Sequence, residues 1–254
     1  MPSLRSLIKP LVPKRLFSAY RSYHISRAHR RARSLTPAEV FTDIYANNRW
    51  GGEQGTFCSG TGSSTSAIVQ PYVDCISAQL ATLGARTLTA VDLGCGDFSV
   101  GRQLAPQCAG YIGVDIVPAL IEFNHQQFGT DRISFRCLNV IEDSLPGGDI
   151  CFVRQVLQHL SNDQIRAILP KLARYRWTFI TEHQPSAPRL KQTNLDKPHG
   201  GDIRVQQGSG VFLDRPPFDI PARRLQQILE VPGGPGAPQA DTDPGVIRTF
   251  LLTA

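Results

Sequence analysis

The stretch Val91-Asp-Leu-Gly-Cys-Gly-Asp-Phe-Ser-Val-Gly101 decides the reading of this chain. An apolar, β-branched run over Thr87–Leu93 reads as a strand, and Gly94 and Gly96 turn it into a short helix around Val100–Leu104. Glycines at such a turn let the backbone bend tightly and let a ligand approach with no Cβ in the way. The free N–H groups of the helix that follows face the same point. Nineteen residues past Gly96, Asp115 closes a second apolar run, Tyr-Ile-Gly-Val-Asp-Ile, where a carboxylate can accept both hydroxyls of a ribose.

Outward from this turn, strand and helix patterns alternate. Tyr111–Ile116, Ile133–Val140, Asp149–Val156 and Trp177–Thr181 read as strands, with helices over Pro118–Phe128 and Asn162–Arg174. Alternation of this kind indicates βαβ units and a parallel sheet, for which a doubly wound α/β arrangement is the default. Upstream, Pro37–Ala46 and Ala67–Leu83 have helical periodicity and flank a Gly/Ser/Thr-rich loop over Asn47–Ser66, in which Trp50 and Phe57 are aromatics suited to covering a site. Downstream, residues 184–220 form a long polar loop, Pro221–Leu229 reads as a last helix, and Ile228–Val231 begins a strand that forms a hairpin with Val246–Thr253. Pro232–Pro244 reads as a solvated, low-complexity connection. The organisation expected is a basic arm over 1–34, a helix-and-loop segment over 35–84, and an α/β domain over 85–254.

Charge is divided unevenly. The chain of 254 residues has a net charge of +6, but residues 1–33 hold nine Lys/Arg and no acid. The rest carries 18 basic against 21 acidic residues, a net of −3, which argues against a nucleic-acid groove across the body. In the arm, Leu4, Leu7, Ile8, Leu11, Val12, Leu16, Phe17 and Tyr20 recur at spacings of three and four around Pro10 and Pro13. The arm suits an element lying on an anionic membrane surface, an organelle transit peptide, or a helix packed on the domain or a partner. The six cysteines lack paired spacing and read as reduced thiols of a cytoplasmic enzyme, with peripheral attachment to the inner membrane face as an extension.

Two cofactor classes use a Gly-x-Gly turn with a distal acid. A dinucleotide site wants a small third residue for close packing over a pyrophosphate, and Ser99 stands there. Asp92, two residues before Gly94, suits a cationic ligand better than a pyrophosphate. With Asp92-Leu-Gly-Cys-Gly96, the acid Asp115, and Asp149-Ile-Cys-Phe-Val-Arg-Gln-Val-Leu-Gln-His-Leu160, residues 85–183 resemble the class I S-adenosylmethionine-dependent methyltransferases. The segment Tyr45-Ala-Asn-Asn-Arg-Trp-Gly51 with Ser59–Ser63 is similar, more weakly, to bacterial small-molecule and glycan methyltransferases.

The resemblance implies a mostly parallel, seven-stranded Rossmann-like sheet with a helical N-terminal extension. It also implies a donor site of Asp92, Gly94, Cys95, Gly96, Phe98, Asp115, Ile116, Asn139, Val140 and Gln155. Phe98 stands where many members have a third glycine. His159, after the fourth strand, is the leading candidate base, and Glu182 and His183, after the fifth, are candidates for holding or deprotonating an acceptor. Asn194, Asp196, Lys197, His199 and Arg204 form a polar cluster whose spacing fits a substrate loop and no standard metal pattern, so no metal is expected. The implied activity is O-methylation of a small molecule or glycan. RNA or protein methylation, or cofactor binding without turnover, are the alternatives.

Overall fold

The computed structural model describes residues 14–53, 55–233 and 244–253, with side chains described from residue 23 onward. Seven strands form one sheet in the order β3-β2-β1-β4-β5-β7-β6. They are β1 (Thr89–Leu93), β2 (Gly110–Asp115), β3 (Ile133–Cys137), β4 (Ile150–Arg154), β5 (Trp177–Gln184), β6 (Leu225–Pro232) and β7 (Val246–Thr253). Strands β1 to β5 pair in parallel, while β7 runs antiparallel to both of its neighbours. The sheet is therefore mostly parallel, with an antiparallel edge built by the chain's last hairpin. No helix among the described residues is long and apolar enough to cross a membrane.

Central strands buried on both faces read as continuous apolar runs, and β4 (Ile150-Cys-Phe-Val) is one. Two cores lie against the sheet. One packs Val91, Leu93, Val153 and Ile180 against Ile165, Ile168 and Leu172 of helix α7 (Asn162–Leu172). The other packs Ala90, Ile150, Phe152 and Phe179 against Val69, Tyr72, Val73, Ile76 and Leu80 of helix α4 (Ser66–Leu83). Each such side chain contributes roughly 1.5–3 kcal/mol as an upper bound.

Local signals set the helix ends. Thr36 and Ser161 each form a capping box, with Glu39 and Gln164, at the start of α2 (Pro37–Ala46) and of α7. Helix α4 stops at Gly84, whose φ of 67° satisfies the last carbonyls through its own N–H. Single-turn helices α3 (Thr61–Ser64) and α5 (Gly101–Leu104) interrupt the glycine-rich stretches, and α6 (Pro118–Phe128) covers β2 and β3.

The chain departs from the sequence expectations in several places. No α-helix follows Pro221: a single 3-10 turn at Ala222–Arg224 leads straight into β6. Leu225, Ile228 and Leu229 have helical spacing because an irregularity between Gln227 and Leu229 shifts the strand's alternation by one residue. Strand β3 ends at Cys137, since Asn139 turns the chain by accepting N–H groups from Glu142 and Asp143. Strand β5 runs three residues past Thr181 because β7 pairs with it to Gln184.

The apolar pattern at Leu4–Val12 lies outside the described residues. Helix α1 (Lys14–Ala32) docks its C-terminal end on the domain: Ala32 is buried, His29 Nε2 meets Asp202 at 3.0 Å, and His199 Nε2 meets the Leu35 carbonyl at 3.1 Å.

Candidate active site

Strand order reverses between β1, which leads to β2 on one side, and β4 on the other. Crevices outside the carboxyl ends of strands at such a point are where open α/β sheets bind ligands. A cleft partly open to solvent lies there. Its floor is the turn Gly94-Cys95-Gly96 and its rim comes from Asp115–Ile116, Leu138–Ile141 and Arg154–Val156. Residues of α2 and of the loop after it close the top.

The floor is a cradle that only glycine can form. Gly94 and Gly96 have φ of 72° and 55°; a Cβ at Gly94 would strike Val156, and one at Gly96 would strike Ser59. Four contacts fix the turn. The Val114 carbonyl accepts the N–H groups of Gly94 and Cys95, Asp115 Oδ2 accepts that of Gly96 at 3.1 Å, and Asn124 Nδ2 of α6 donates to the Gly96 carbonyl at 2.7 Å. Asp115 Oδ1 accepts the Val117 N–H at 3.2 Å. Burial pushes this carboxyl's pKa up, against the pull of those N–H groups. Burial also lifts the Cys95 thiol well above its usual value, so it stays a neutral side chain with its backbone in the floor.

On the β3 side, Asn139 and Val140 line the cleft as expected. Lys171 of α7 donates to the carbonyls of Val140, Ile141 and Asp143 at 3.2, 2.8 and 2.9 Å. One ammonium therefore ties down three carbonyls of this wall. Lys171→Met should weaken binding of an adenosyl ligand by about tenfold with little loss of fold, measured by calorimetry; an unchanged Kd would show that the wall holds itself.

On the β4 side, Gln155 has φ of 56° and sets its amide against Gly62, while His159 lies in the 3-10 turn Leu157–His159. The His159 Nδ1 is 3.0 Å from the Gly200 carbonyl, which can only accept, so Nδ1 carries the proton and Nε2 the lone pair. Gln158 Nε2 lies 3.3 Å from that Nε2. Trp50 and Phe41 wrap the ring at 5.1 and 6.4 Å between centroids. Burial, then the nearby Lys197 charge, lower the imidazole pKa to about 4, so the ring is neutral at physiological pH.

Four residues expected at the site, Phe98, Glu182, His183 and Asp92, do not line the cleft. Phe98 is fully buried, with φ of 59°, and packs against Tyr111, Phe128 and Phe135. Its backbone adopts the left-handed turn a glycine would supply, and its ring fills the core behind the floor. Glu182 spends both oxygens on the N–H groups of Leu157 and Gln158, at 3.0 and 2.9 Å, and so holds up the turn that carries His159. Burial raises its pKa to about 8 against those bonds and the Arg204 charge. Successive strand residues face opposite sides, so His183 points away from Glu182, toward the hairpin, where Nε2 meets the Pro244 carbonyl at 2.6 Å.

Asp92 sits just behind the floor, accepting the Tyr111 hydroxyl at 2.9 Å, with its pKa raised by burial to about 6. The polar cluster of the long loop stitches that loop to the domain: Arg204 donates to the carbonyls of Leu157, Gln158, Leu160 and Leu195. No group of three or more potential metal ligands gathers among the described residues.

Residues 90–176 match a family described as a methyltransferase domain. No curated protein matches the chain by sequence. Among solved structures, the chain is similar to magnesium protoporphyrin IX methyltransferase from Synechocystis PCC 6803 with bound S-adenosylmethionine: TM-score 0.51, 18% identity, covering 86% of this chain and 98% of that one. It is similar to the 1,6-didemethyltoxoflavin-N1-methyltransferase of Burkholderia thailandensis, with TM-score 0.52, 16% identity, and 85% and 87% covered. It is also similar to human N-acetylserotonin methyltransferase, with TM-score 0.51, 15% identity, and 91% and 65% covered.

Residues 90–176 thus match a methyltransferase domain, and the fold around them is that of the magnesium protoporphyrin IX methyltransferase structure with bound S-adenosylmethionine. The cleft suits that donor, with a Cβ-free cradle and a buried carboxylate at the end of β2.

Proposed function

We propose that the protein transfers a methyl group from S-adenosylmethionine to a hydroxyl of a small molecule or glycan, with His159 as the base. The observation that carries this reading is the neutral, wrapped imidazole that lines the cleft beside the donor cradle, with Gln158 Nε2 at 3.3 Å from its Nε2 and Nδ1 held by the Gly200 carbonyl. A hydroxyl acceptor needs a group to take its proton as the new bond forms; an amine acceptor needs less help.

When bound, S-adenosylmethionine supplies a methyl group already activated by its sulfonium. Everything else is positioning, which can contribute roughly 7–11 kcal/mol. In this reading Asp115 holds the ribose, Asn139 and Val140 border the adenine, and Gly94–Gly96 and Ile116 shape the floor. His159 receives the hydroxyl proton at Nε2, while Gly200 at Nδ1 fixes the tautomer. Glu182 acts through the backbone of the His159 turn and is a positioning residue. Phe41, Tyr45 and Trp50 exclude water above the reacting groups.

Arg154-Gln-Val-Leu-Gln158 follows the core of β4, where an Asn-Pro-Pro-Tyr-like segment would suit planar amines, and this favours oxygen acceptors. The test is incubation of the full chain with methyl-labelled donor and a cell extract divided into lipid, glycan, RNA and small-molecule pools. Base-stable label, as expected of an ether, in the small-molecule or glycan pool is expected. Label confined to RNA or protein, or none despite donor binding, would overturn the reading.

A further inference from the structure

Helix α1 ends against the domain with one face held and the opposite face bare. Ile25, His29 and Ala32 recur at spacings of four and three, which puts them on one stripe of the helix. The first two are half-buried and Ala32 is buried, and His29 Nε2 lies 3.0 Å from Asp202 Oδ2. Tyr23, Arg27 and Arg30 repeat the same spacing about half a turn round the helix. All three are exposed, Tyr23 to 57%. Arg31 stands beside them, its side chain 55% exposed and 3.2 Å from Asp43.

The held face decides which face is outward. Asp202 is the partner of both His29 and the buried Lys197 ammonium, at 3.0 and 3.4 Å. His199 Nε2 meets the Leu35 carbonyl at 3.1 Å just past the helix. Rolling α1 would break these contacts. They lie in the loop whose Gly200 carbonyl fixes His159, so the helix is tied to the same segment as the cleft.

The outer face carries one sign of charge. No acid precedes Glu39 in the sequence, and none of the ion pairs among the described residues involves Arg27, Arg30 or Arg33. A cationic face that the chain does not neutralise complements an anionic partner. The aromatic residue decides which partner. Tyr23 is more exposed than Leu190, the other exposed large hydrophobic residue of the described surface, and it shares its stripe with the arginines. In the sequence, Leu16 and Tyr20 precede it at the same spacings of four and three. Guanidinium groups beside an amphipathic ring suit the headgroup level of a bilayer, where phosphates meet the cations and the ring enters the acyl boundary. A polynucleotide would run on past α1 to the body, which carries 18 basic against 21 acidic residues.

We propose that the outer face of α1, with Tyr23, Arg27, Arg30 and Arg31, docks on an anionic lipid surface. Because one loop holds both α1 and His159, a docked helix keeps the cleft at a fixed place relative to the lipid. Nothing in this surface depends on which ligand the cleft takes.

The test is co-sedimentation of the full chain with vesicles of phosphatidylcholine alone and of phosphatidylcholine mixed with phosphatidylglycerol. Thermal melting checks folding. The full chain should bind the anionic vesicles and leave the neutral ones in suspension. Arg27→Glu/Arg30→Glu should weaken that binding by about tenfold or more, and Tyr23→Ala by about fivefold. Arg136→Glu/Arg215→Glu reverses two exposed arginines elsewhere, makes the same change in net charge, and should bind as wild type.

No binding of anionic vesicles by the folded chain overturns the proposal. So does full vesicle affinity in folded Arg27→Glu/Arg30→Glu, or an equal loss in the Arg136→Glu/Arg215→Glu control. Poly(U) RNA bound more tightly than the vesicles would also overturn it and assign the arginines to a nucleic acid.

Discussion

Replacing Asp115 by alanine should lower affinity for S-adenosylhomocysteine by about a hundredfold or more, the largest effect on binding of any single change in the cleft. Two hydroxyls on a buried carboxylate form charge-assisted hydrogen bonds, each contributing roughly 1.5–3 kcal/mol. The same carboxylate accepts the Gly96 and Val117 N–H groups, so its loss also loosens the floor. Asp115→Asn tests the need for the carboxylate without removing side-chain volume. An amide keeps one acceptor oxygen and offers N–H groups where the N–H donors already stand, so its loss should approach that of alanine. Calorimetry at fixed pH reads both variants, and wild-type affinity in Asp115→Ala would remove the ribose from this position.

His159→Ala should reduce kcat by about 10²–10⁴-fold and leave the Kd for S-adenosylhomocysteine within a fewfold of wild type. The two readouts divide chemistry from binding, because the imidazole faces the cleft while its other nitrogen is committed to Gly200. The pH dependence has a definite sign. Burial lowers this imidazole's pKa from 6.5 to about 4, so the neutral form that can accept a proton persists as pH falls through 6.5. The wild-type rate should show no inflection near 6.5 from this residue. Because the folded pKa is the lower one, protonation opposes folding, and the stability it removes is lost as pH drops from about 6.5 toward 4. A rate limb titrating near 6.5 and absent in His159→Ala would mean the ring is solvated in the working enzyme.

Much of this site was legible in the sequence because its parts are backbone features. A Gly-x-Gly turn after an apolar strand, and an acid closing the next strand, need no tertiary information to locate, and Gly94, Gly96, Asp115, Asn139, Val140 and His159 all reach the cleft. What sequence spacing misses is the direction of a side chain. Glu182 and His183 follow β5 toward the crevice, but pleating sends one under the His159 turn and the other to the hairpin. Phe98 shows the converse: its backbone does a glycine's work while its ring packs inward.

Residues whose importance is wholly long-range gave no signal of their own. Lys171 reaches back 31 residues to Val140, and Asn124 pins Gly96 from 28 residues away, each through one side-chain nitrogen on an ordinary amphipathic helix. The first half of β6, which reads as helix, has the same cause in another form, since its irregularity against β7 imitates helical spacing, while its second half and the hairpin with β7 are legible in the sequence.

The central claim is that the cradle at Gly94–Gly96 receives an adenosyl donor bearing a cationic methionine end, and the most direct measurement is calorimetric titration of the intact wild-type chain with S-adenosylmethionine and, separately, with NAD. The account requires saturable one-to-one binding of S-adenosylmethionine and no measurable heat with NAD. Uptake of NAD in preference, or no binding of S-adenosylmethionine by folded protein, would contradict it.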